Sequence, residues 1–524
     1  MLLAPGVNFG TTMGSFLVMA IFAVVLSAES LGGGSAAAAG GGGHGPALSF
    51  AQWLLALGPF GALIVVQQIV GVISEKQLEA TGSWRAVLRL DNTNMVCRWV
   101  GLALHAWGVL VLGTLSAVRA AIGDVVVIDE VLVTLPPLVV MASAWWATYP
   151  IDVRLREAGL IGVLDRGATY HPPAGRVRFV FMQFRHQVLL VAVPVLSAVC
   201  VSEIATIVMR KLVNLHRAGE GAAWMRSVGS WLEQPGAAQW THTGVQALTV
   251  VLIVLLLPIA VRYIWDTVPL REGTTAEALL RMCKQSGVKV RDILLWRTDG
   301  TSLNGAVIGV VGRARHILLT DALLEMLPLD QVRAVLAHEI AHVKLRHIPW
   351  LALVAFSTLA LLSVIGEFAL LTLKLSADDP VSVIELSLVT LMLGTTALVF
   401  GFVSRRFEWQ ADAYAAKMLS EPDPAMPTPA DEVFDRPAGL VHTRAVSAMI
   451  GALDMVSKLN HIPLGRFSFR HGSMRRRMEN LVLIELQSVD SLPIDRVCNR
   501  IKRAGLLVLA VSVVLWVIRL SIGA

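Results

Sequence analysis

From Val332 to Val364 the chain reads VRAVLAHEIAHVKLRHIPWLALVAFSTLALLSV. Two kinds of segment meet inside this run. Up to His347 it is amphipathic and charged; from Trp350 to about residue 373 it is apolar, with Glu367 as its one charged residue. About 20 apolar residues at a helical rise of ~1.5 Å cross the ~30 Å hydrocarbon core of a bilayer. The chain therefore passes from a water-facing helix almost directly into a membrane helix. The water-facing part holds His338, Glu339 and His342 in the pattern HExxH. Residues four apart share a helix face, so the two imidazoles can reach one zinc ion, with Glu339 beside them as a general base. Asp330, just after Pro328, reads as the N-cap of this helix, and Pro349 marks its other end.

The whole composition agrees with a chain that lies largely in lipid. Of 524 residues, 55% are hydrophobic and 16% charged, against about 25% charged in soluble domains. The mean hydropathy is +0.65. About nine apolar runs read as spanning helices, near 11–28, 52–73, 99–121, 131–149, 187–209, 243–264, 350–373, 383–404 and 504–522. The first lacks a basic n-region and reads as a retained helix, not a signal peptide. The fourth is the shortest and carries Pro136 and Pro137, which suggests a kinked or interfacial helix. The Gly/Ala-rich stretch 31–45 reads as a flexible loop. Trp145, Trp146 and Trp350 sit near run ends and read as interfacial anchors.

The net charge of +6 comes from Arg and Lys in the segments between runs. Segments 74–98, 150–186, 265–349 and 405–503 are basic and, with nine spans, fall on one side, while loop 29–51 has neither Lys nor Arg. The positive-inside rule puts the four basic segments in the cytoplasm; segment 210–242, with Arg210, Lys211, Arg217 and Arg226, fits less well. A bacterial inner membrane is the expected location. No basic and aromatic pattern of a nucleic-acid module is present, and nothing specifies an oligomeric state. Cys97, Cys200, Cys283 and Cys498 form no CxxC pair, which excludes a cysteine zinc site and a disulfide framework. Glu203, Glu367 and Glu385 lie in or near apolar runs without an evident cationic partner, and read as packing or cavity-lining groups. The chain divides into a helical membrane region, 1–242, and a region 243–524 in which helices alternate with the soluble segments 265–349 and 405–503.

Two histidines fall short of the three protein ligands that a catalytic zinc site normally uses. The second soluble segment supplies candidates. It opens as SRRFEWQADAYA over Ser404–Ala415, with Glu408 and Asp412 four apart on a helix. One of the two can bind the metal while the other orients a ligand histidine.

HEIAHVKLRH, two apolar helices and then RRFEWQADAYA together resemble the gluzincin membrane peptidases of the HtpX and CAAX-prenyl-endopeptidase family, whose pattern is HExxH followed by ExxxD. The resemblance covers roughly residues 265–480. It implies a mainly α, multi-pass membrane protein with a small α+β zincin-type domain assembled from two cytoplasmic segments. It implies one zinc per chain held by His338, His342 and Glu408, with Glu339 as base and Asp412 behind a ligand histidine. Ser302–Gly309 resembles the family's strand along the cleft, which places Asn304, Gly305 and Ala306 against an extended peptide; Gly305 stands where Ala is usual. His316–Asp321 resembles the strand and helix start before HExxH. Arg470–Met478 resembles the His-Pro-Ser…Arg element, which implies that His471 and Arg477 help hold the oxyanion; Gly472 replaces the usual Pro. His347 also falls at a family position and is expected to cap or support, not to ligate. The implied activity is cleavage of membrane or misfolded proteins, as in quality control. Trimming of prenylated C-termini and a sensor acting through regulated proteolysis are the alternatives.

Overall fold

The computed structural model describes residues 15, 17–27, 48–164, 172–300, 303–309, 312–372, 383–421, 439–460 and 462–523. The stretch 31–45 lies outside the described residues. The chain forms two compact units. One comprises Met1–Thr267, Arg297–Thr301 and Gly309–Ala314; the other comprises Val268–Trp296, Ser302–Ile308 and Arg315–Ala524.

The described part of the first unit is helical: α1 Leu17–Ser27, α2 Phe50–Thr81, α3 Trp84–Leu110, α4 Thr114–Ile122, α5 Ile128–Leu164, α6 Arg176–Ala218, α7 Ala223–Leu232 and α8 Ala237–Ile264. Ser49 and Gln52 form a capping box at the start of α2, and Gly82, at φ 61°, ends it in the left-handed conformation that glycine adopts without strain. Ser83 caps α3 at once. The basic segment 74–98, read above as lying between apolar runs, is therefore mostly helical and turns only at Gly82 and Ser83, because the helices run on past their apolar parts. The fourth run is likewise neither short nor interfacial: α5 continues for 37 residues through Pro136, Pro137 and Pro150. Trp145 is not an interfacial anchor but a core residue, 4% exposed among Ile21, Phe22, Met141 and Phe179. Trp146 is exposed, with the Arg176 guanidinium 4.5 Å above its ring. Glu203 accepts a hydrogen bond from the Val127 backbone N–H at 3.0 Å.

Among the described residues, six helices are long and apolar enough to cross a membrane, or seven if the pair α3–α4, bent by 61°, counts as one span. The first and eighth of the nine expected runs, 11–28 and 383–404, lie partly outside the residues whose side chains are described; the described part of the first is α1, and the eighth falls in the N-terminal half of a longer helix given below. The chain is an integral membrane protein.

The second unit carries a four-stranded sheet in the order β1-β2-β4-β3, with β1 Thr267–Pro269, β2 Asp292–Trp296, β3 Gly305–Ile308 and β4 His316–Thr320. β2 runs parallel to β4 with Leu294 beside Leu318, and β3 runs antiparallel to β4 with Ala306 beside Leu318. Every residue of β4 is buried, as its HILLT sequence requires of a strand covered on both faces. β3 is an edge strand. Helices α9 Thr274–Gln285, α10 Asp321–Met326, α11 Leu329–Lys344, α12 His347–Thr372, α13 Val383–Ser420, α14 Thr443–Leu459, α15 Met474–Leu483 and α16 Pro493–Gly523 complete the unit. One core joins Leu279, Ile293, Ile317, Leu336, Ala413 and Met449 from sheet and helices.

The helix that carries HExxH is α11. Its N-cap is Pro328, not Asp330, which lies in the first turn and there complements the positive end of the helix dipole. It ends at Lys344, earlier than Pro349 suggests. Arg346, at φ 55°, turns the chain, and α12 begins with His347, so Pro349 sits in the first turn of the next helix. Within the membrane part, Glu367 has a cationic partner after all: Arg519 of α16 lies 3.6 Å away. The sequence hides this pair because 152 positions separate its members. The Glu385 side chain lies outside the described residues.

Candidate metal centre

Two helices supply the donors. On α11, His338 and His342 project from one face, and their Nε2 atoms lie 3.1 Å apart. On α13, Glu408 brings Oε2 to 3.6 Å from His338 Nε2 and Oε1 to 3.7 Å from His342 Nε2. These three residues form a group whose candidate donor atoms all lie within 4.8 Å of one another. Tetrahedral zinc with donors at ~2.0–2.1 Å holds those donors about 3.3 Å apart, so the observed spacing fits one such ion. The charges fit too. Glu339, Glu408 and Asp412 set three carboxylates around one guanidinium, Arg477, an excess of negative charge that suits a cation.

Each donor is oriented from behind. His338 Nδ1 lies 2.9 Å from Asp412 Oδ1, so a carboxylate stands behind the ring with Nε2 toward the site. Asp412 is gripped by Arg477, whose Nε and Nη2 donate to its two oxygens at 2.8 and 2.6 Å. Arg477 also reaches Glu408, with Nη1 3.5 Å from Oε2. His471 Nδ1 lies 3.0 Å from the same Glu408 oxygen, on a ring 41% exposed. A third histidine stands behind His342: the Nδ1 atoms of His342 and His347 are 3.0 Å apart. His347 Nε2 meets Gln410 Oε1 at 3.1 Å, and Gln410 Nε2 donates to Asp495 Oδ1 at 2.6 Å. Sequence reading marked His347 without a partner and missed Gln410 and Asp495, which no spacing rule connects to it.

These contacts set the titration of the site. Burial pushes the Glu339 carboxyl up, only partly offset by His338; a raised carboxyl is suited to taking a proton near neutral pH. Burial also pushes Glu408 up, but His471, His338 and Arg477 outweigh it and hold Glu408 well below the usual carboxylate range. Asp412 is lowered because Arg477 overcomes its burial. Burial drives His342 down to about 3, helped by the neighbouring His338. Burial works the same way on His338, yet Asp412 and Glu408 overcome it and lift that ring to about 10.

The expected substrate strand lies alongside. Gly305, the first residue of β3, faces α11 so closely that a Cβ there would stand 2.9 Å from Val335 Cγ1 and 3.5 Å from Glu339 Cγ. The helix leaves no room for a methyl group at this position. Asn304, one residue earlier, is tied to Thr320: its N–H donates to Thr320 Oγ1 at 3.0 Å, and its carbonyl accepts from the Thr320 N–H at 3.1 Å. Ala306 is half-buried beside Leu318. All ten residues singled out from the sequence therefore lie in the second unit. Seven converge on the donor cluster, and Asn304, Gly305 and Ala306 flank it on the sheet edge.

Parts of the chain are similar to known proteins. Residues 269–484 match the sequence profile of Peptidase family M48. A protease HtpX homolog of Bacteroides fragilis (strain YCH46) is 25% identical over 153 residues, 27% of this chain and 46% of the relative. A protease HtpX homolog of Aeropyrum pernix is 25% identical over 230 residues, 38% of this chain and 70% of the relative. The crystal structure of S. mikatae Ste24p aligns over 83% of this chain and 100% of its own, at 15% identity and a TM-score of 0.44. The chain spans about half the length of the first of these relatives.

Proposed function

We propose, on the match of residues 269–484 to the profile of peptidase family M48, that this protein is a membrane zinc metalloendopeptidase. Its zinc, one per chain, is held by His338, His342 and Glu408. The observation that carries the reading is the set of three donors 3.1–3.7 Å apart, with Glu339 on the same helix as both histidines. When bound, the metal supplies Lewis-acid polarisation of a carbonyl and acidification of a water.

The residues then divide the work. The β3 edge, Asn304 to Ala306, aligns an extended peptide by strand addition. Glu339 takes the proton of the attacking water and passes it to the leaving amine. His471, half-exposed next to Glu408, donates to the developing oxyanion. Arg477 stands behind that step; its bidentate bond to Asp412 and contact with Glu408 keep both carboxylates, and through Asp412 the His338 ring, in place. We place the site at the cytoplasmic face of a bacterial inner membrane, because Arg405 and Arg406 follow the apolar half of α13. We take membrane or misfolded proteins as the substrates, which is what the resemblance of HEIAHVKLRH and RRFEWQADAYA implies.

The test pairs the wild type with Glu339→Gln, both purified in detergent. Metal content and cleavage of an unfolded model protein are measured. Both should hold about one zinc per chain, and only the wild type should cleave, with a chelator abolishing the cleavage. A wild type without metal, or a variant that cleaves as well, would remove the assignment. Cleavage confined to a farnesylated peptide would move the substrate class to prenylated C-termini.

A further inference from the structure

We infer that His347, Gln410 and Asp495 form a relay that fixes the tautomer of His342 and so makes it a competent metal ligand. His342 points Nε2 into the donor cluster and Nδ1 away from it, 3.0 Å from His347 Nδ1. Two Nδ1 atoms in contact share one proton, and nothing at that contact decides which ring keeps it. The decision is made on the far side of His347. Asp495 is a carboxylate and can only accept, so Gln410 must turn its NH2 group to it, at 2.6 Å. The amide oxygen then faces His347 Nε2 at 3.1 Å, and that nitrogen must carry a hydrogen. A neutral imidazole protonated at Nε2 has a lone pair on Nδ1. His342 is therefore the donor in the Nδ1–Nδ1 bond, and its Nε2 lone pair is left aimed at Glu408 and His338. Phe407, stacked on His347 at 4.6 Å and 8°, holds the plane of the ring.

The two ligand histidines are thus oriented by different means. His338 is set by one carboxylate in direct contact, Asp412. His342 is set by a carboxylate two residues removed, and the links come from three separate helices. His347 opens α12, Gln410 lies on α13, and Asp495 lies in the first turn of α16. The C-terminal membrane helix therefore takes part in building the metal site, as a positioning element that touches neither metal nor substrate.

The inference rests on the zinc-peptidase reading and is tested apart from activity. Full-length protein is purified in detergent, and its zinc affinity is measured by competition with a chelator of known affinity. His347→Phe, Gln410→Met and Asp495→Leu each remove one link while keeping side-chain volume. Each should weaken zinc binding by about 10- to 100-fold. Because the links act in series, the His347→Phe/Gln410→Met double variant should lose no more than the worse of its two singles. Asp495→Asn can donate as well as accept, so it no longer forces the direction and should weaken zinc binding too, whereas Asp495→Glu keeps an accept-only carboxylate and should stay within about threefold of the wild type. Thermal unfolding of the metal-free proteins serves as the control: a role in packing alone would lower the unfolding temperature and would not be rescued by Glu. Any one of the three removal variants reads the relay if another fails to fold. If the wild type binds zinc and the removal variants bind it within about threefold, or if the losses multiply in the double variant, the relay is wrong and the metallopeptidase reading stands. A wild type that binds no zinc overturns both.

Discussion

Replacing Gly305 by alanine tests the packing of the sheet edge against the catalytic helix. The new Cβ would lie 2.9 Å from Val335 Cγ1, where ordinary contact begins at 3.4 Å. Strand β3 and helix α11 must separate by roughly 0.5 Å, the difference of those two distances, because Val335 is β-branched and holds one preferred helical rotamer. The added methyl in a packed interface costs about 1–3 kcal/mol of stability. The larger consequence is chemical. Val335 lies one helical turn before Glu339, and Glu339 Cγ is itself 3.5 Å from the new atom, so the base is displaced with the helix. A 1 Å error in a catalytic group can lower the rate by about 100-fold, and half of that displacement should lower kcat by about tenfold. The assay is steady-state cleavage of an unfolded model protein in detergent by wild type, Gly305→Ala and Gly305→Ala/Val335→Ala. The second substitution removes the atom that clashes and should restore most of kcat. Activity of Gly305→Ala within twofold of the wild type would refute the reasoning, and so would a double variant no better than the single.

Arg477→Met strips the cation from two buried carboxylates, Asp412 and Glu408. It should destabilise the protein by about 3–5 kcal/mol, read as a fall of roughly 10 °C in the unfolding midpoint. Arg477→Lys, which cannot make the bidentate contact, should fall between the two. Glu408→Gln removes a charged donor and should lower zinc content in chelator competition, whereas Glu339→Gln should leave it unchanged. Burial pushes the Cys283 thiol up to about 11, so in the folded protein it should resist alkylation at pH 8 and react only on unfolding. The folded thiol holds its proton more tightly than the unfolded one at 9.0. The stability this contributes is present below that value and is lost as pH rises toward 11, so unfolding temperatures should decline over that window.

What was legible in the sequence divides along a physical line. His338 with His342, and Glu408 with Asp412, are pairs four apart on helices, and local geometry alone puts each pair on one face. That Asp412 contacts His338 while Glu408 faces both histidines depends on the packing of α13 against α11. The sequence left those two roles open until a family resemblance assigned them. The buried strand β4 was marked only through the family resemblance of His316–Asp321. The helix ends were not: Asp330 has the chemistry of an N-cap, but Pro328 occupies that position. The apolar runs likewise understated α2, α3 and α5, because hydropathy reports the part of a helix in lipid and not the turns that continue beyond it.

His347 shows why local reading ends where it does. Its spacing from His342 is five residues, which places it around the turn at Arg346 and not on the helix face of the ligands. Taken alone, it has no reason to matter. Its function, on the reading above, depends on Gln410, 63 positions later, and on Asp495, 85 positions after that. Neither residue carries a motif, since a glutamine that passes a hydrogen-bond direction from a carboxylate to an imidazole needs only the right distance on each side. Tertiary packing alone supplies those distances. A direct carboxylate–histidine contact such as Asp412–His338 can be anticipated from a motif because one helix carries both Asp412 and the ligand Glu408. A relay through three helices has no such local constraint. A homologue could keep the tautomer of its second histidine with other polar residues, provided that the last member of the chain can only accept.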